Sequence, residues 1–344
     1  MLEIDGSHGE GGGQLLRMAA ALAALKSVPV RIVRIRAKRR SPGLAAQHVA
    51  ALRAVAALCK GTIDGLELGS AEITFRPGPI EGGQHTFDVG TAGSVTLVLQ
   101  AALPVAAAAP RTVRLRVVGG TDVRWSPPVD YFTRVFLPLL GHIGGRVDVE
   151  LLRRGYYPRG GGEVEAVIDA AQEWAPLDAV ESSTVEAVRG IAHVSNLPEA
   201  IPTRMKHAAL RRLHGIANVK VEERVYSGQG AIGQGGATVL WAQLGSTILG
   251  ATSLAERGKT SERVGEEAAA ELRTVIESGA TLDVHAADQL LPYLARARGP
   301  SHFLVQQVSG HLDTMAWLVP QFFPCKIRVS SVGGLEKVSV EPER

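Results

Sequence analysis

Cysteine is nearly absent: Cys59 and Cys325 are the only two in 344 residues, which excludes a disulfide-stapled scaffold and a Cys-rich zinc site. No apolar run is long enough to span a bilayer. The longest, residues 97–110, is broken by Gln100 and two prolines and is too short to cross one. The first residues, Met1-Leu2-Glu3-Ile4-Asp5, lack the basic-then-apolar order of a signal peptide. These absences predict a soluble, cytoplasmic protein with no membrane partner. A charge excess of one sign is missing too. Lys and Arg number 37 against 34 Asp and Glu, a formal net charge of +3, so any nucleic-acid contact is expected to be local rather than a long basic track. The common nucleotide-binding signatures are also missing. No Gly-x-x-x-x-Gly-Lys-Ser/Thr occurs, and residues 9–14 do not form a Gly-x-Gly-x-x-Gly fingerprint.

What is present is an ordinary globular composition, 45% hydrophobic and 21% charged, with 39 glycines concentrated at junctions between elements. At roughly 100–200 residues per domain, the length implies two domains or one large domain with an elaboration. Alternation of the two hydrophobic periods orders the first 170 residues. A strand at 2–5 precedes a helix at 14–25 whose apolar face carries Leu15, Leu16, Ala19, Leu22 and Ala23. A strand at 28–36, a helix ending near Cys59 and strands at 62–68 and 72–76 follow. The order then recurs: strand 85–89, helix 93–108, strand 112–118, helix 127–142, strands 146–152 and 162–168. A third copy is expected at 281–284, 286–294, 302–308, 311–322, 326–330 and 337–340. The fold class is therefore α+β: three repeated βαβαββ units at a period of about 80 residues, with a smaller α/β insert between the second and third. The predicted boundaries are 1–182 for repeats one and two, 183–279 for the insert and 280–344 for the third repeat.

Equivalent junctions of such units place helix starts together. The first helices open at Gly11-Gly12-Gly13-Gln14, Gly90-Thr91-Ala92-Gly93-Ser94 and His285-Ala286-Ala287-Asp288-Gln289. The second helices follow Ser41, Ser126 and Ser309, each suited to cap them. Helix N-termini favour anions, so converging starts would suit a phosphate-rich ligand. Arg36, Lys38, Arg39 and Arg40 stand before one of them, Arg124 at the matching place in the second unit and His311 in the third. The arginines read either as phosphate-binding forks or as a solvated loop. Glu10, within a glycine run, reads either as a ligand for hydrated Mg²⁺ or as a capping carboxylate. His311, at a helix start, reads either as a neutral nucleophilic imidazole or as a structural histidine.

The ordered series of segments resembles the RNA 3′-terminal phosphate cyclase family. It comprises residues 5–14 (DGSHGEGGGQ), Ile35-Arg36-Ala37 through Pro42-Gly43-Leu44 with Gln47-His48, residues 93–100 (GSVTLVLQ), Gly119-Gly120-Thr121-Asp122 with Pro127-Pro128, Tyr156-Tyr157-Pro158 with Gly160-Gly161-Gly162, Ala287-Asp288-Gln289-Leu290, and Ser309-Gly310-His311-Leu312. The resemblance spans the repeats and fades across the insert. It implies a cyclase/enolpyruvyl-transferase-like fold and an ATP-dependent conversion of an RNA 3′-phosphate terminus to a 2′,3′-cyclic phosphodiester. The reaction would pass through a histidine–AMP phosphoramidate and an RNA(3′)pp(5′)A end. It implies His311 as the nucleophile, and Gln100, Pro128, His285, Ala286, Ala287, Asp288 and Gln289 as the ATP/AMP pocket. Arg36, Arg39, Arg40, Gln47 and Arg124 would meet the phosphates or the RNA end, with Glu10 on Mg²⁺ or Mn²⁺. Two departures stand out: His285 where family members can carry a tyrosine, and a more basic Ala37-Lys38-Arg39-Arg40-Ser41 segment. The alternatives are a non-catalytic cyclase-like ribosome-assembly protein and an enolpyruvyl-transferase-like enzyme. A strand edge in the insert makes a homodimer conceivable.

Overall fold

The computed structural model describes residues 1–171, 173–181 and 183–343. Residue 182, where the first predicted boundary falls, lies outside the described residues. The protein is a mixed α+β structure, and three of its sheets share one strand order. In the first, Leu2–Asp5 pairs in parallel with Val30–Val33, which pairs antiparallel with Ile73–Arg76 and that strand with Thr62–Asp64. In the second, Gly83–Asp88 runs parallel to Val113–Gly119, followed antiparallel by Gly162–Ile168 and Val147–Gly155, and a fifth short strand, Ala231–Ile232, adds in parallel to Val147–Gly155. In the third, Asp178–Ala179 runs parallel to Ser301–Val305, followed antiparallel by Leu335–Pro342 and Cys325–Val332.

That third sheet corrects one expectation. Residues 281–284 do not form the strand that their Thr-Leu-Asp-Val sequence predicts. The Asp283 carboxylate instead accepts from the N–H groups of His285 and Ala286, at 2.9 and 3.0 Å. It thereby caps the helix Val284–Leu294, which is the usual reason an Asp ends an extended run. The parallel edge strand comes from Asp178–Ala179, and the Thr281 hydroxyl donates to the Ala179 carbonyl at 2.7 Å. The remaining elements fall close to where periodicity puts them, including helices Gly13–Lys26, Ala46–Leu58, Val95–Ala106 and Gly310–Leu318.

These helices pack on one another between the sheets, Gly13–Lys26 touching the other three. Its residues 15–24 are all buried, so it is apolar on every side rather than amphipathic, with small alanines letting its neighbours approach. Burial of side chains such as Leu15, Leu16 and Leu22 contributes about 1.5–3 kcal/mol each. Arg17 is the exception in that run. It is buried with the core yet charged, and it points toward the helix starts.

A fourth sheet orders Val219–Tyr226, Ala187–Ser195, Gly235–Leu244 and Thr247–Leu254, with helices Ala200–Arg212 and Ser261–Ser278 packed on it. These elements enclose an apolar cluster of their own, including Val194, Met205, Leu240, Leu249, Val264 and Leu272. Strand Thr247–Leu254 escapes sequence reading because Gly250 and its small neighbours blur the alternation. Gly250 is required there: a Cβ would lie 2.5 Å from the Tyr131 ring. The exposed edge, Val219–Tyr226, carries Lys220, Glu222, Glu223 and Arg224, charges of the kind that discourage strand pairing between molecules. A homodimer through this edge is therefore not carried further. Among the described residues no helix is long and apolar enough to cross a membrane.

Candidate functional site

His311 sits in the first turn of the helix Gly310–Leu318, whose N-cap Ser309 accepts from the Leu312 N–H at 3.0 Å. The glycine-rich loop after the first strand is pinned against this helix. The His8 ring stacks on Trp317 at 3.8 Å, and the Glu10 N–H donates to the Thr314 hydroxyl at 3.3 Å. The pinning brings the Glu10 carboxylate to His311: Oε2 lies 2.7 Å from Nδ1. The other oxygen, Oε1, accepts from the Arg39 guanidinium. Burial is the main influence on the His311 imidazole and holds its pKa below the ordinary 6.5. Glu10 opposes that shift, while Arg17, His285 and Arg39 reinforce it. The ring is therefore neutral at physiological pH. Glu10 Oε2 lies beside Nδ1 without completing a hydrogen bond in this geometry; a proton held on Nδ1 would leave the lone pair on Nε2.

A second cluster lies at the meeting of the first helices. The Gln14 amide donates to Asp288 Oδ2, and the Gln100 amide donates to Gln289 Oε1 at 2.8 Å. Gln289 in turn donates to the His285 carbonyl at 2.6 Å. These side chains line a narrow cleft with Arg17, Met18, Phe136, Pro292 and Tyr293. Asp288 is fully buried, and burial pushes its carboxyl well above the usual range. The Asp283 charge adds to that, whereas hydrogen bonds and Arg17 only partly offset it. Arg17 is lowered by burial to about 10 and stays charged. Gln14 Oε1 is buried without a hydrogen-bond partner among the described residues, an acceptor that a ligand donor would satisfy.

His48 joins the two clusters. Its ring fills the space beside Gly13, where a Cβ would lie 2.1 Å from Nε2, and its Nδ1 accepts from the Ala45 N–H at 3.0 Å. Burial, then Arg17 and Arg36, depress its pKa to about 3. Between the unfolded value near 6.5 and this folded value, the unfolded chain binds the extra proton. Stability is thus full above pH 6.5 and lost as pH falls toward 3. We expect wild type to lose about 2 kcal/mol more than His48→Gln between pH 7.5 and pH 5, measured by denaturant unfolding of both at each pH.

The structure disperses the other sequence-predicted residues. Arg36 is half-buried and donates to the Gly43 carbonyl at 2.7 Å, while Arg40 is exposed and Gln47 half-buried beside Gly93. Pro128 is buried and opens the helical turn Val129–Tyr131. The Tyr131 ring meets His285 edge-on at 6.2 Å. Ala286 and Ala287 lie in the core, with their N–H groups donating to Asp283. Arg124 points the other way, its guanidinium forked onto Glu256 with Nε at 2.7 Å from Oε1. Sequence reading gave no role to Arg17, His48 or Asp283, although His48 stands in one of the segments that carry the resemblance. For Arg17 the available signal was a lone Arg inside an apolar helix run.

One further group could in principle hold a metal: Asp122, Asp130 and His193, all buried. The Arg154 guanidinium already sits among them, 2.9 Å from Asp122 Oδ2 and 2.6 Å from Asp130 Oδ2. A dication there would face that fixed positive charge, so the cluster does not fit a metal. It is a buried ion-pair network instead. Burial raises the Asp122 carboxyl, but Arg154 and then His193 more than offset it and hold the carboxyl far below the carboxylate range.

A neutral imidazole on a helix start, a carboxylate and arginines beside it, and a polar cleft next door define a phosphate-handling site. The comparisons say which kind. The family model described as RNA 3′-terminal phosphate cyclase matches residues 8–329. The RNA 3′-terminal phosphate cyclase of Nitrosospira multiformis is 51% identical over 343 residues, covering 100% of this chain and 97% of the relative. Those of Methanopyrus kandleri and Pyrococcus furiosus are 46% and 43% identical, over 100% and 94% of this chain and 99% and 93% of their own lengths. The chain belongs to the RNA 3′-terminal phosphate cyclase family.

Proposed function

We propose that this protein is an ATP-dependent RNA 3′-terminal phosphate cyclase working through a covalent His311–AMP intermediate. The observation that carries the reading is the His311 imidazole, neutral through burial and set against Glu10 at 2.7 Å on a helix start. In the first step Nε2 attacks the α-phosphorus of ATP. A P–N bond forms, the bond to the β-phosphate oxygen breaks, and pyrophosphate leaves. The ring becomes cationic, and the Glu10 carboxylate at Nδ1 stabilises it. In the second step an RNA 3′-phosphate oxygen attacks the same phosphorus. The P–N bond breaks, His311 returns to neutrality and RNA(3′)pp(5′)A results. In the third the neighbouring 2′-OH attacks the RNA phosphorus, closing the 2′,3′-cyclic phosphodiester and expelling AMP.

The cleft of Gln100, Asp288, Gln289 and the unpartnered Gln14 acceptor supplies donors and acceptors for an adenine edge. Pro128, His285, Ala286 and Ala287, which the resemblance adds to the pocket, do not line this cleft themselves; His285 adjoins it through the Gln289 amide on its carbonyl. Burial favours the protonated form of Asp288, in which the carboxyl would donate as well as accept. Arg36, Arg39, Arg40 and Gln47 are the groups for the triphosphate and the RNA terminus. Arg124, held by Glu256, is a poorer candidate. Glu10, a partly exposed carboxylate whose oxygens meet Arg39 and His311, is the residue that would hold a divalent ion, Mg²⁺ or Mn²⁺, such hard cations favouring oxygen ligands. When bound, the ion would offset charge on the triphosphate and departing pyrophosphate. We also read the chain as three βαβαββ units, with 183–279 inserted and 1–182 and 280–344 forming the body. The shared strand order of three sheets and the separate apolar cluster of the insert support this.

The test uses an RNA 3′-phosphate whose last sugar is 2′-deoxy. It should accumulate the adenylylated end with no cyclic product, whereas the ribose form cyclises and releases AMP. Cyclisation without any ATP requirement would contradict the proposal.

A further inference from the structure

Trp125 is 95% exposed and its backbone lies in the left-handed region at φ 66°. That conformation is an outlier for a bulky side chain, so this tryptophan is held at a double penalty, strained and hydrated, that packing does not explain. Its neighbours are tied down. Asp122 is clamped by Arg154, Val123 is buried, Arg124 is forked onto Glu256, the Ser126 hydroxyl donates to the Val123 carbonyl at 3.0 Å, and the Pro127 carbonyl accepts from Thr96 at 2.8 Å. The loop is thus held on both sides of an exposed indole.

The adjoining segment carries a second exposed ring. Asp122 bridges to Tyr156, and the next residue, Tyr157, is 80% exposed, beside exposed Arg159. In a chain with 5% aromatics, Trp125 and Tyr157 are the two most exposed aromatic side chains among the described residues. The Trp125 segment leads toward the phosphate site. Pro128 opens the turn Val129–Tyr131, the Tyr131 ring meets His285 at 6.2 Å, and His285 is close enough to act on the His311 imidazole. Trp125 also stands three residues before Pro128, outside the buried cleft rather than within it.

We propose that Trp125 is a stacking platform for a nucleobase of the RNA strand whose 3′-phosphate enters the His311 site. The inference rests on the cyclase reading above and adds how the strand is held behind its terminus. An exposed ring face accepts any base, which suits an enzyme that recognises a terminus rather than a sequence. The adenine of ATP has the same stacking chemistry, but the polar groups suited to its edge lie in the enclosed cleft. Stacking of this kind is sequence-tolerant, so its loss should weaken different RNAs alike.

The experiment measures KM and kcat for a short RNA 3′-phosphate, for the same RNA with abasic 3′-terminal nucleotides, and for ATP, in wild type, Trp125→Ala and Trp125→Phe. We expect Trp125→Ala to raise the KM for the intact RNA about tenfold and Trp125→Phe to recover most of it, with kcat little changed. Removing the bases should raise KM in wild type but hardly at all in Trp125→Ala, a non-additivity that a merely structural role does not produce. Equal base-dependence in wild type and Trp125→Ala overturns the proposal. A rise in KM for ATP instead of RNA overturns it too and assigns the indole to adenine. If wild type fails to cyclise any of these RNAs, it is the underlying cyclase reading that fails.

Discussion

Replacing His311 with alanine lowers cyclase turnover by about 10⁴-fold or more, the scale set by removing a covalent nucleophile. Three other imidazoles, those of His8, His48 and His285, are already engaged. His8 is stacked on Trp317, His48 is enclosed beside Gly13, and His285 meets Tyr131 edge-on at the start of the neighbouring helix. His311→Asn should fail equally, since the amide is no nucleophile, and circular dichroism of both variants should match wild type because the side chain is half-exposed. The pH dependence of the first step follows from the same environment. Burial lowers the His311 pKa, so the reactive neutral ring persists below pH 6.5, and the rate falls only as pH drops through the depressed value. Single-turnover self-adenylylation across pH 5 to 8 checks the sign.

The second large effect concerns stability. Arg154 is fully buried with its charge shared between Asp122 and Asp130, and its guanidinium packs over the Tyr226 ring at 4.5 Å. His193 Nε2 adds a contact to Asp122 at 3.3 Å, and the Tyr156 hydroxyl bonds to Ser195 at 2.8 Å. The network therefore ties the strand Val147–Gly155 and the 121–130 segment to the strands Ala187–Ser195 and Val219–Tyr226. Asp122→Ala leaves a buried guanidinium with half its compensation, and breaking such a pair costs about 3–5 kcal/mol. We expect thermal unfolding to shift down by roughly 5 °C for a chain of this size. Asp122→Asn should lie between, retaining hydrogen bonds without the charge. If alanine matches wild type, the network carries no net stability. Because the same segment presents Trp125 and opens the turn at Pro128, the alanine variant should also weaken RNA binding.

Much of the body was legible because periodicity and turn residues act locally. Helix Gly13–Lys26 announces itself by its glycine entry and unbroken apolar run, and strand Gly162–Ile168 by alternation after three glycines. The two-residue strand Asp178–Ala179 carries no such pattern. It exists only because Ser301–Val305 offers an edge, so the sequence pointed instead to 281–284, where Asp283 prefers to cap. The site was legible in its parts and not in its pairings. Glu10 and His311 come together only when the loop after the first strand lies on the helix Gly310–Leu318. Arg124 looked like a phosphate ligand by its place before a helix, but its partner Glu256 is 132 residues away in sequence, a pairing no local rule predicts. Arg17 hid within a helix that reads as pure core.

The central claim is that AMP passes through His311 to the RNA phosphate. The most direct measurement incubates the protein with α-labelled ATP and Mg²⁺ or Mn²⁺, isolates the labelled chain, and chases it with RNA ending in a 3′-phosphate or a 3′-hydroxyl. The account predicts acid-labile, alkali-stable label on wild type and none on His311→Ala, with the label leaving for the 3′-phosphate RNA only. Folded wild type that takes up no such label, or label that the 3′-phosphate RNA cannot remove, would contradict it.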